Sequence, residues 1–188
     1  MTMDRRIERT RRALQNAYVA LRRQQPTGTI SVAAITTLAD VGRGTFYLHY
    51  KDVAALEAAI VAQMTAQLVA QLEPAKVKRV GNSYRQWLGA MLAWLRTQRP
   101  LLDLISATAQ ADQVTQPVEA ALVRLLMQLT GRNPLDHADR VAITFAAAGL
   151  VGTTRAWLAG TLAVPEVALV TELDAQLQAL TIVTGGQA

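Results

Sequence analysis

Arg43, Thr45, Tyr47, His49 and Lys51 fall at alternate positions of VGRGTFYLHYKD, residues 41–52. Each can donate a hydrogen bond or carry positive charge, which suits phosphate oxygens and base edges. Phe46 and Tyr50 are interleaved with them, in a chain only 5% aromatic. A core segment would not need the cations, and a solvated loop would not need the rings. Helical phase separates the two sets. At about 100° per residue, Phe46 and Tyr50 share one face. Gly44, Thr45 and Leu48 project from the other, with Tyr47 and His49 on the flanks. Phe46 and Tyr50 are therefore expected to anchor the segment inward, leaving Tyr47 free. Thr45 and Tyr47 could then bond bases or phosphates, while Arg43, His49 and Lys51 could meet phosphates. Small Gly44 would let the backbone approach a partner closely.

Such a segment needs a second helix to hold it. Ser31 is a good N-cap for a short helix to about Leu38, burying Val32, Ile35 and Leu38. Residues 39–42 make a tight turn, and the second short helix spans 43–50. Two short helices joined by a four-residue turn form a helix-turn-helix, whose second helix suits the major groove of DNA. The same spacing also suits two small helices of an ordinary bundle. Charge bears on the choice. Residues 1–52 hold nine Lys or Arg against four acids, which is the whole net charge of +5. The other 136 residues carry ten of each sign. A basic end on a neutral body suits a polyanion partner for that end, or a solvated helix face.

The remaining elements follow from apolar period and punctuation. A first helix runs from about Asp4 to Gln24 on Ile7, Leu14, Tyr18 and Leu21, and stops at Pro26 and Gly28. Asp52 caps a helix to about Leu72, with Leu56, Ile60, Met64 and Leu68 as its stripe. Residues 73–81 (EPAKVKRVG) form a polar break. Further helices are expected at 82–98, 100–110, 116–130, 134–160 and 165–183, four of them opening at Pro100, Pro117, Pro134 and Pro165. The fold expected is all-α with about nine helices. It comprises an N-terminal helix-turn-helix three-helix domain (1–52), a linking helix (53–73) and a C-terminal helical bundle (74–188).

Several function classes lose support. The chain has no cysteine, hence no disulfide or thiolate site. It carries no nucleophile elbow, zinc-protease pair or P-loop, so no enzyme and no cofactor are expected. In DHAD, residues 136–139, one of only two histidines sits beside acids that suit a helix N-terminus, and no metal is expected. The N-terminus has no apolar secretory region, and the charge-free run Val141–Thr154 is too short to span a bilayer. A soluble, cytoplasmic protein without a membrane partner is expected.

The run ISVAAITTLADVGRGTFYLHYKDVAAL, Ile30 to Leu56, resembles the DNA-binding signature of the TetR/AcrR family of bacterial transcriptional regulators. The likeness is strongest in Thr45-Phe46-Tyr47-Leu48-His49-Tyr50. It implies that Ser31 caps its helix against a phosphate, that Arg43, Gly44, Thr45, Tyr47 and His49 face a double-stranded operator, and that Lys51 binds backbone. It further implies a homodimer on a pseudo-palindromic operator, acting as a repressor released by a small-molecule effector. The alternative is a protein of the same fold with an architectural or interaction role and no effector. Three positions depart from the family pattern: Asp40 stands at a turn glycine, Gly42 at a small polar cap, and Val53 at a lysine.

For the dimer, the small and large apolar residues of 142–162 and the helix after it are candidates. Phe145, Gly149, Gly152, Trp157, Val170, Leu173 and Leu177 are the expected interface. The alternative is that both helices simply close the core of one chain. For an effector, Trp87, Met91, Trp94, Leu102, Ile105 and Met127 are the expected lining, and the same residues would equally serve as plain core.

Overall fold

A computed structural model of the chain describes residues 2–25, 28–106 and 111–182, with side chains at 5–25, 28–99, 101–103 and 112–180. Among them are eight α-helices and one 3-10 helix. The α-helices are α1 (Thr2–Gln24), α2 (Val32–Leu38), α3 (Arg43–His49), α4 (Val53–Gln71), α5 (Arg85–Ser106), α6 (Ala111–Thr130), α7 (His137–Ala159) and α8 (Glu166–Ile182). The all-α class expected from the sequence is the class observed.

Three proline positions differ from expectation. α7 starts at His137 with Asp136 as its N-cap, so Pro134 lies in the turn before the helix rather than in its first turn. α5 runs unbroken through residue 100, fusing the two helices expected at 82–98 and 100–110. α6 starts at Ala111, so Pro117 lies inside it. Proline removes a bond to the carbonyl four residues back, here Gln113. Both Pro117 and Gln113 reach the surface, so water can satisfy that carbonyl. Pro165, in contrast, directly precedes α8 as expected.

The chain divides into two compact units, Met1–Met64 with Pro100–Ala111, and Thr65–Arg99 with Asp112–Ala188. The first has its own apolar core of Leu14, Ala17, Tyr18, Ile30, Ile35, Phe46, Tyr50, Leu56 and Ile60, with Leu101 packed against it. α1 packs on α2, and α2 on α3. The second buries Leu88, Leu92, Leu125, Leu126, Ile143, Leu169, Leu173 and Leu177, and α7 packs on α8.

By length and composition, α4 and α7 could each cross a membrane. α4 buries one stripe, Leu56, Ile60, Met64 and Leu68, inside the protein. α7 instead leaves Val141 and Phe145 exposed.

Candidate nucleic-acid interface

Local geometry fixes the helix-turn-helix residue by residue. Ser31 caps α2, its hydroxyl oxygen accepting the Ala34 N–H at 3.1 Å. Thr36 is buried and turns its hydroxyl back to the Val32 carbonyl at 2.9 Å. The turn is closed by the Val41 N–H donating to the Thr36 carbonyl at 3.0 Å. Asp40 takes φ 52°, a left-handed conformation that short polar side chains tolerate. It thus supplies the left-handed turn that a glycine would otherwise provide. Gly42 caps α3 without a side-chain bond, so that helix end relies on its backbone and its packing.

The phase of α3 is the one expected from the sequence. Phe46 is fully buried and Tyr50 nearly so, whereas Tyr47 is 59% exposed. The Phe46 ring meets Tyr47 edge-on at 5.5 Å between centroids, which steadies the exposed ring. Tyr50 is held from α1, its hydroxyl oxygen accepting from Gln15 at 3.4 Å. Burial, only partly offset by that bond, pushes the Tyr50 hydroxyl up. Arg43, Gly44 and Lys51 are exposed, and Thr45 and His49 are half-buried. Asp52 caps α4 by accepting the Ala55 N–H at 2.7 Å, which turns the chain directly after Lys51. On α1, Arg5, Arg9 and Arg12 line a shallow concave surface with Glu8. Glu8 pairs with Arg12 at 3.1 Å, and the arginines leave the surface net positive.

A polar lock within this unit is not apparent from the sequence pattern. The Tyr18 hydroxyl donates to Glu57. Arg22 reaches the Tyr18 hydroxyl at 3.2 Å, Glu57 at 3.4 Å and the Gly28 carbonyl at 2.8 Å. Burial pushes the Glu57 carboxyl up. The lock joins α1, the following loop and α4, and so fixes the frame that presents α3. The available signal is that Glu57 is the one charged residue of α4.

The second unit has a comparable feature in Asp174, which is 1% exposed. It accepts the Tyr84 N–H at 2.6 Å, the Ser83 hydroxyl at 3.0 Å and the Gln178 amide at 2.8 Å, with Arg85 at 3.2 Å. Burial alone would raise this carboxyl. The bonds from Tyr84, Ser83 and Gln178, with the Arg85 charge, outweigh burial and hold it below the usual carboxylate range. Asp174 thereby pins the start of α5 to α8.

The residues expected at a dimer interface separate into two groups. Phe145 is 81% exposed, and Gly149 and Gly152 are exposed beside it on α7. Trp157 and Val170 are half-buried, with the Trp157 ring N–H donating to the Val164 carbonyl at 3.0 Å. Leu173 and Leu177 are 6% and 2% exposed and belong to the core of this chain. Contrary to the expectation, these two are core residues, because an interface residue must be accessible in the single chain and these are not. Of the expected effector lining, Trp87 is buried, and Met91, Trp94 and Met127 are half-buried in the second unit. Leu102 is half-buried in the first, and the side chain of Ile105 lies outside the described residues.

The acids of residues 136–139 have structural partners. Asp136 caps α7 by accepting the Asp139 N–H at 2.9 Å. Asp139 accepts the Asn133 N–H at 2.9 Å and pairs with Arg132, which together lower its carboxyl against burial. Among the described residues, no three His, Cys, Asp or Glu converge as a metal site.

No family model matches the chain, and no curated protein matches it. Solved structures do, and the fold they define is that of TetR-type transcriptional regulators. One is the dihydroxyacetone kinase operon activator DhaS, at TM-score 0.65 and 16% identity over 93% of this chain and 97% of that one. Another is a TetR transcriptional regulator from Streptococcus agalactiae 2603V, at TM-score 0.63 and 19% identity over 96% and 98%. At these identities the likeness is one of fold.

Proposed function

We propose that this chain is a double-stranded-DNA-binding transcriptional regulator that reads a pseudo-palindromic operator as a homodimer. The observation that carries this reading is the division of α3, with Phe46 and Tyr50 buried beneath an outward face bearing Arg43, Gly44, Thr45 and Tyr47. Ser31, His49 and Lys51 flank that face and supply phosphate contacts. The surplus of five positive charges in residues 1–52 suits a polyanion partner.

One such helix reads only a few base pairs, so useful specificity needs two half-sites and a dimer. The exposed side of α7 is the proposed contact, with Phe145 as its anchor and Gly149 and Gly152 allowing close approach. Among the described residues, a Cβ built at either glycine meets nothing within 4 Å beyond its chain neighbours and the backbone of its own helix.

The finer reading is a repressor released by a small molecule held near Trp87, Met91 and Trp94 on α5. A second direction of control has support too: one protein of similar fold is called an operon activator. Selection from a random-sequence duplex library, followed by footprinting, tests the reading. The expected result is one enriched site with two half-sites about 34–36 Å apart. Recovery of no sequence above background would refute it.

A further inference from the structure

Leu48 is 83% exposed at the outward face of α3. A lone exposed leucine on a protein surface needs no explanation. This one stands among groups of opposite character: Arg43 and Lys51 are exposed nearby, and Tyr47 precedes it. Of the residues that share its side of the helix, Gly44 has no side chain, and Thr45 and Tyr47 both carry hydroxyls. Leu48 is the one wholly aliphatic side chain presented there, and it offers no hydrogen bond.

Gly44 lies one turn earlier on the same face. Apart from the backbone of its own helix and its chain neighbours, a Cβ built at Gly44 meets no described residue within 4 Å, so the space beside Leu48 is open among the described residues. Whatever approaches α3 therefore meets Leu48 as a protruding apolar knob beside a bare stretch of backbone.

The partner assigned to this face is the DNA major groove, and the inference rests on that reading. Its base edges present donors and acceptors, with one apolar group, the C5 methyl of thymine. A leucine set against any other edge would displace water from a polar group and return no bond. Against the methyl it removes apolar surface on both sides. We propose that Leu48 reads a thymine methyl, which makes an A·T pair of fixed orientation a requirement at one position in each half-site. Thr45 and Tyr47 supply the polar readout around it.

The test uses the full chain and the duplex it selects from a random library. Each thymine is replaced in turn by deoxyuridine, which removes the methyl and leaves pairing intact. At one thymine per half-site, the replacement should weaken wild-type binding about fourfold, as expected for one buried methyl, and about fifteenfold when made in both half-sites. Leu48→Ala should bind the thymine and uracil duplexes equally, while Leu48→Met, which keeps an aliphatic reach, should still prefer thymine. Because the side chain is exposed, both variants should unfold like the wild type. If the protein binds its selected duplex but no deoxyuridine replacement matters, Leu48 does not read a methyl and the inference is overturned while DNA binding stands. A sensitive thymine that stays equally sensitive in Leu48→Ala overturns it as well. Failure to select any duplex removes the functional reading and the inference together.

Discussion

α3 and α7 both leave large apolar side chains in the open, and the difference between them lies in what surrounds those side chains. Around Tyr47 and Leu48 stand Arg43, His49 and Lys51 in a segment that holds the net charge of the whole chain. Around Val141 and Phe145 stand Ala148, Gly149 and Gly152, in a part of the chain with no net charge. Exposed apolar surface ringed by cations suits a charged, grooved polymer. Exposed apolar surface beside small residues suits another helix at close range. Exposure alone does not name a partner; its setting does. Each region also has an inward counterpart, Phe46 beneath the first and Asp174 within the unit that carries the second.

The comparison breaks first at those inward residues. Phe46→Ala should destabilise the chain by about 3–5 kcal/mol in chemical denaturation, because a fully buried aromatic leaves a cavity. A loss under about 1 kcal/mol would mean that α3 is not seated as described.

Asp174→Ala should lose somewhat less, about 2–3 kcal/mol, by stranding the donors of Tyr84 and Ser83. The native carboxyl is held below its ordinary range, so its contribution is complete above about pH 4 and drains away as pH falls through the lowered native value. Asp174→Asn should therefore flatten the acid limb of the stability curve. An unchanged limb would show that this carboxylate does not carry it.

The outward residues should change assembly and binding instead. Phe145→Asp should give a folded monomer by sedimentation and weaken operator binding about 100-fold, equivalent to about 2.8 kcal/mol. A dimer that persists would move the interface away from the open side of α7. The smallest effect belongs to Lys51→Ala. It should lower the slope of log affinity against log salt by about 0.9 for each phosphate that Lys51 neutralises, with sequence preference intact. An unaltered slope would show that Lys51 does not meet the DNA backbone.

How much of this was readable from sequence depended on whether a residue had a local physical signature. Phe46 and Tyr50 are four apart in a short helix with polar neighbours, so the inward face was legible. Ser31 and Asp52 announced themselves as caps, and Asp40 could adopt the left-handed turn despite having a side chain. Pro100 and Pro117 are poor guides to a boundary, because a helix can pass through a proline, as at Pro117, where the orphaned carbonyl can reach water. Leu173 and Leu177 misled for another reason. α8 is apolar on most sides, and periodicity cannot tell which side faces its own chain. Glu57 and Asp174 are hard to read because their partners Tyr18, Arg22 and Tyr84 are distant in sequence, although Glu57, the lone acid of an apolar helix, is a usable sign.

The central claim is that the outward face of α3 reads DNA while its inward face only holds the helix in place. Titrating the selected operator with wild type and Tyr47→Ala at one salt concentration, alongside their unfolding curves, tests that claim most directly. Tyr47 is 59% exposed, so Tyr47→Ala should unfold within about 0.5 kcal/mol of wild type. It should also bind the operator at least about tenfold more weakly, with a smaller loss on unrelated duplex DNA. Operator affinity equal to that of wild type in a well-folded Tyr47→Ala would contradict the account.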